Sequence, residues 1–183
     1  MRSRLFVLMV LGALASLLFA TAAVAEDAQV VGSKACKACH SKQYASWEAS
    51  AMGKAMESLK ANAKADQKKA AGLDPAKDYT TDATCLGCHT TGFGKPGGYS
   101  EKDAKPELAG VGCEDCHGAG SLYKAEMKNK EYKKADVTAK GLKEAKDSCA
   151  SCHNDKSPFK KALDVEKGIK EGTHEHIALK NKH

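Results

Sequence analysis

A chain of 183 residues, 28% charged and only 5% aromatic, suits one domain but is too poor in large apolar side chains to build a thick core unaided. Its formal net charge of +6 rests almost wholly on lysine, since Arg2 and Arg4 are the only arginines. Arginine makes the commonest specific base contacts, so this balance counts against nucleic-acid binding. The chain also lacks a phosphate loop, a nucleotide fingerprint and a Ser/His/Asp set.

The N-terminus reads as an export signal. Arg2 and Arg4 precede an apolar run from Leu5 to Ala20, and Ala23-Val24-Ala25 offers small residues for cleavage. The rival is an uncleaved anchor, because the run is long; the Ala-x-Ala site favours cleavage after Ala25. The expected boundaries are a signal peptide at 1–25 and one domain at 26–183, delivered to the periplasm. No other segment has the length to span a bilayer. The mature part carries 27 lysines against 23 acidic residues, a net +4.

Cys36-Lys37-Ala38-Cys39-His40 comes next. Residues 41–71 read as helical, because Tyr44, Trp47, Met52, Met56 and Leu59 recur at helical steps among lysines and glutamates. Gly72 and Asp74-Pro75 end that region. A second cysteine motif, Cys85-Leu86-Gly87-Cys88-His89, leads into a glycine-rich loop over 91–98 with a turn at Pro96-Gly97-Gly98. A third follows, Cys113-Glu114-Asp115-Cys116-His117. Lysine-rich helices are expected over 122–134 and 138–146. The fourth motif is Cys149-Ala150-Ser151-Cys152-His153, followed by a loop through Ser157-Pro158-Phe159. The tail from Asp164 to Lys180 reads as a helix broken near Gly172. At most one short strand pair is expected.

The four motifs use all eight cysteines. Four disulfides, or two zinc sites of four thiolates each, are the competing readings. Neither requires histidine after the second cysteine, and here it stands there in every copy. The pattern is that of c-type haem attachment: two thioether bonds per haem, with the histidine on the iron. The expectation is a mainly α, haem-cored domain holding four covalently bound haem c groups. Cys36/Cys39, Cys85/Cys88, Cys113/Cys116 and Cys149/Cys152 would bind the macrocycles. His40, His89, His117 and His153 would bind the irons. The motif spacings are unequal, so the chain is one domain and not a tandem array.

Four irons have eight axial positions. Beyond the motif histidines only His174, His176 and His183 remain, so at least one iron takes another ligand or stays open. The thioethers of the mature chain are Met52, Met56 and Met127. Methionine is an accepted haem ligand, and His/Met pairing raises the potential relative to bis-His.

Ala55-Met56-Glu57-Ser58-Leu59-Lys60, residues 73–80 (Leu-Asp-Pro-Ala-Lys-Asp-Tyr-Thr), Gly97-Gly98-Tyr99 and the stretch from Gly110 through Cys113 to Gly118 are distinctive. Through them the chain resembles the tetrahaem cytochrome c-554 family. The likeness is strongest up to His117. It implies bis-His first, third and fourth haems and an open, five-coordinate second haem. Met52 stands where the family has the distal histidine of the third haem, and Met127 where it has that of the first. His174 matches the distal ligand of the fourth. His176 or His183 is left to close the second.

Electron transfer between redox proteins is the leading expectation. The resemblance implies a multihaem dehydrogenase donor, such as a hydroxylamine oxidoreductase, and a membrane or soluble cytochrome acceptor leading toward the quinone pool. Lysines at the surface would suit an acidic redox partner. The alternative is reduction of a small molecule, nitric oxide by analogy, at the open haem of His89, with Ser157-Pro158-Phe159 over its distal face.

Overall fold

The computed structural model describes residues 27–159 and 163–179; the expected signal peptide, Lys180 and His183 lie outside the described residues. Among the described residues the α-helices are α1 (Ser41–Ala49), α2 (Ala65–Ala70), α3 (Ala83–His89), α4 (Cys113–His117), α5 (Ser121–Glu126), α6 (Lys134–Ala139) and α7 (Val165–Gly172). Short 3-10 helices lie at Ser33–Cys36, Ala55–Leu59, Pro106–Leu108 and Ala145–Ser151. Strand pairing among these residues is confined to two isolated bridges, Thr90 with Ala109 and Ser100 with Asp103. The fold is therefore mainly α, made of short helices and loops, as the sequence suggests. No helix among the described residues is long and apolar enough to cross a membrane.

The helical region expected over 41–71 is three pieces instead of one. Its middle docks on the chain ahead of the third motif. The Trp47 indole donates to the Val111 carbonyl at 2.7 Å, and Val111 N donates to the Met52 carbonyl at 2.9 Å. Ser50 turns extended to make this possible, and its hydroxyl accepts from Gly53 N at 3.2 Å. Gly110, at φ +103°, lets the two backbones close up, because a Cβ there would run into the Gly53 carbonyl. Tertiary hydrogen bonds thus override the local helical preference. The buried Lys68 of α2 then reaches back to the Leu59 carbonyl at 3.3 Å.

The lysine-rich segment differs as well. The helix expected over 122–134 stops at Glu126, and α6 straddles the boundary expected at 134–138. Asp136 starts α6 by accepting from Lys133 N at 2.8 Å. Gly141, at φ +101°, ends the helical run. The chain is then caught by the third motif, with Lys143 N donating to the His117 carbonyl at 3.0 Å. The tail helix does end at Gly172, and residues 173–179 are irregular.

The protein's own core is small. Val30, Leu59, Tyr79, Leu86, Tyr99 and Leu108 form one buried cluster, with Met56, Leu73 and Phe93 against it. The glycine-rich loop wraps this cluster: Val30 N donates to the Pro96 carbonyl at 2.9 Å. The core thus sits beside the second and third motifs and holds them in place.

Candidate cofactor site

Each cysteine motif is one helical turn. His40 N donates to the Cys36 carbonyl at 3.0 Å, and His153 N to the Cys149 carbonyl at 2.9 Å. The second motif lies in α3 and the third is α4 itself. Residues at i, i+3 and i+4 share a helix face. Every motif therefore presents two thiols and an imidazole together. Asp82 starts α3 by accepting from the Thr84 backbone at 3.1 Å. Asp115 starts α4 by accepting from Gly112 N at 2.8 Å, and Gly118 (φ +83°) ends it.

The residues between the cysteines separate the motifs into two kinds. In the first and fourth they are exposed: Lys37, Ala38, Ala150 and Ser151. In the second, Leu86 is buried in the core cluster. In the third, Glu114 is buried and its carboxylate accepts from Val31 N (2.9 Å), Gly32 N (2.7 Å) and Gly120 N (2.7 Å). Asp115 also accepts from Gly92 N at 2.9 Å. Burial raises the Asp115 pKa, while its bonds to the Gly92 and Gly112 backbones oppose the shift. Sequence reasoning missed Glu114 and Asp115 as anchors. Their signal was an acidic pair inside a motif whose inner residues are otherwise small, apolar or basic.

The thiols of different motifs neighbour one another. Cys36 hydrogen-bonds with Cys113, which pushes Cys36 far up and brings Cys113 down to about 7, helped by the Ser33 hydroxyl. Burial, and then Cys152, push Cys88 up to about 11. Burial does the same to Cys116, with Cys149 and Cys152 among the charges it feels. The eight cysteines form no disulfide. Among the described residues no cluster of three or more His, Cys, Asp or Glu is placed to hold a metal ion by itself.

The histidines are aimed by backbone carbonyls. His89 Nδ1 lies 2.8 Å from the Ala55 carbonyl and 3.4 Å from the Ser58 hydroxyl. His117 Nδ1 lies 3.4 Å from the Lys143 carbonyl. A nitrogen facing a carbonyl carries the proton, which leaves the lone pair on Nε2 for a metal.

The other expected ligands are placed as follows. Met52 lies with its backbone on Val111, two residues before Cys113. Met127 caps α5, whose Tyr123 and Lys124 lie close enough to Cys36 to interact electrostatically with it. His174 stands with its ring 6.5 Å from that of His117. His176 turns its Nε2 to the Ile169 carbonyl at 2.9 Å, so that nitrogen is engaged. Lys156, next to the Ser157-Pro158-Phe159 loop, has a minor electrostatic effect on the Cys88 thiol.

Comparison with known proteins decides the family. The family model "Cytochrome c554 and c-prime" matches residues 35–118, and "Cytochrome c7 and related cytochrome c" matches 98–173. Cytochrome c-554 of Nitrosomonas europaea is 44% identical over 151 residues, covering 76% of this chain and 64% of that protein. The structure of reduced cytochrome c554 from the same organism superposes with a TM-score of 0.75 at 39% identity, over 82% of this chain and 87% of that one. The chain belongs to the cytochrome c-554 family.

Membership in the cytochrome c-554 family brings covalently bound haem c. The residues here fit that group. Each motif offers two thiols and a histidine on one face, His89 and His117 hold Nδ1 on a carbonyl, and the chain's own apolar core is small enough to need more apolar surface. The chain spans about 64% of the length of the cytochrome c-554 relative.

Proposed function

We propose that the protein is a periplasmic tetrahaem electron carrier, with haem c bound at each of the four motifs and His40, His89, His117 and His153 as proximal ligands. Haem supplies one-electron redox chemistry when bound. The chain's own residues set the spacing, orientation and polarity of its surroundings. The observation that carries the reading is the contact between motifs. Cys36 meets Cys113, Cys116 feels Cys149 and Cys152, and Cys152 meets Cys88. Each binding motif thus has its neighbour in the order first, third, fourth, second. That continuity suits a relay and is not needed for separate sites.

The donor in this reading is a multihaem dehydrogenase of the hydroxylamine oxidoreductase kind. The electrons leave through a membrane or soluble cytochrome toward the quinone pool. Family membership and the lysine-rich surface support it. Met127 opposite His40 is the ligand pair proposed for the first haem. At the third motif the Met52 backbone docks just ahead of Cys113, and the His174 ring lies 6.5 Å from that of His117. The test is the oxidised holoprotein, checked by intact mass for four haems and a chain starting at Glu26. Mixed with hydroxylamine oxidoreductase and hydroxylamine, it should be reduced within the turnover time of the donor. Reduction no faster than by hydroxylamine alone would remove the donor.

A second reading, nitric oxide reduction at an open second haem, is favoured by His176, a candidate to close it, turning its Nε2 to the Ile169 carbonyl at 2.9 Å. A high-spin optical signal that shifts on adding nitric oxide supports it; a purely low-spin spectrum excludes it.

A further inference from the structure

We infer that His174 and His117 form a ligand pair that holds one iron between them, which makes His174 the sixth ligand at the third motif. This rests on the haem reading above. The resemblance allots His174 to the fourth haem and leaves Met52 for the third. The geometry points elsewhere.

The two rings are 6.5 Å apart between centroids and inclined by 31°. A metal bound by two imidazole nitrogens at about 2 Å each sets the centroids about 6 Å apart. The separation is one that two ligands of a single ion can have. Nδ1 of each ring lies beside a backbone carbonyl, His117 Nδ1 by Lys143 at 3.4 Å and His174 Nδ1 by Glu175 at 3.0 Å. A carbonyl at Nδ1 favours the tautomer protonated there in both rings. His176, 5.0 Å from His174 between centroids, does the reverse, because its Nε2 goes to the Ile169 carbonyl.

The backbone explains how a tail residue reaches the third motif. Glu175 N donates to the Ser46 hydroxyl at 2.7 Å, which ties the tail to α1. The next residue of α1, Trp47, is bound to Val111, just ahead of Cys113. On the other side α7 packs on the turn at Ala145–Ser151, which packs on α4. The tail is thus fixed from both directions over the third motif. Imidazole and thioether are both accepted haem ligands, but the side chain found beside His117 is that of His174, and it takes the position.

The test begins with intact mass of the holoprotein. Fewer than four haems would end the haem reading itself, separately from this pairing. With four present, His174→Met and Met52→Leu are compared by low-temperature electron paramagnetic resonance and redox titration. His174→Met should convert one bis-His signal into a His/Met signal and raise one midpoint potential, with the haem count unchanged. Met52→Leu should move neither. No change in His174→Met, or a changed signal in Met52→Leu, overturns the pairing. The motif is assigned by repeating His174→Met in a Cys113→Ala/Cys116→Ala background shown by mass to hold three haems. The His174→Met effect should vanish there, and its persistence would place His174 on another iron. Should that background fail to accumulate, a crystal structure of the wild-type holoprotein decides. His174 Nε2 on the iron held at Cys113 and Cys116 supports the pairing, and any other sixth ligand there refutes it.

Discussion

The Glu114 carboxylate holds the backbone nitrogen of Gly32, eighty-two residues earlier in the chain, at 2.7 Å. The same side chain holds Val31 and Gly120. One acid inside the third motif therefore ties the N-terminal arm, the helix α4 and the start of α5 into a single body. The Ser33 hydroxyl completes the joint by accepting from Cys113 N at 3.1 Å.

Replacing Glu114 by Ala strips a buried set of N–H donors of their acceptor. Such orphaned groups cost full desolvation, and the loss should be about 3 kcal/mol or more. Chemical denaturation of holoprotein with an unchanged haem count measures it. A loss under about 1 kcal/mol would mean that water replaces the carboxylate and that the joint is not what holds the arm.

Leu86 tests the other buried motif. It is 1% exposed and sits in the main cluster beside Cys85. Leu86→Ala should cost about 3 kcal/mol through lost burial and the cavity left. The equivalent change of Lys37→Ala in the first motif, where the residue is exposed, should cost almost nothing. Equal effects at the two positions would contradict the division into buried and surface motifs.

That division was legible only in part. The attachment motifs were readable because their chemistry is local: two thiols and an imidazole within one helical turn need no distant residue. The mainly α class followed from the helical steps of Tyr44, Trp47, Met52, Met56 and Leu59 and from the shortage of strand signals. The break after Ala49 was not readable, because it depends on Trp47 and Met52 finding Val111, which only the folded chain brings near. The role of Glu114 was hidden for the same reason, since its partners lie far away in sequence. The end of α6 had a visible cause in Gly141, yet the expected helix over 138–146 runs through that glycine. The approach of His174 to His117 depends on the docking of Glu175 on Ser46, and no periodicity announces it.

Asp82 gives a pH-dependent prediction. Hydrogen bonds from the Thr84 side chain and backbone hold its carboxyl below the usual aspartate range. A group whose folded pKa is depressed contributes stability that is fully present above its unfolded pKa, about 3.9. The contribution fades as pH falls through the lower folded value. The stability gap between wild type and Asp82→Ala should therefore be constant above roughly pH 4 and shrink below it. Thermal unfolding across that range checks the sign. A gap that widens on acidification would show that Asp82 does not cap α3 as the carboxylate.

Ser58 offers a test of how His89 is held. Its hydroxyl donates to the Ala55 carbonyl at 2.6 Å, the carbonyl that also faces His89 Nδ1 at 2.8 Å. Two donors share one acceptor, so each weakens the other's bond. In Ser58→Ala the carbonyl loses the competing hydroxyl, so its bond to the imidazole strengthens. A stronger bond to Nδ1–H makes Nε2 the more basic donor, and a more basic ligand stabilises ferric over ferrous iron. One midpoint potential of the holoprotein should therefore move to a lower value, with the haem count and the remaining potentials kept. The hydroxyl-bearing Ser58→Thr should restore it. A potential that stays put in Ser58→Ala, or that Ser58→Thr fails to bring back, would leave Ser58 as a local turn residue with no hold on the second motif.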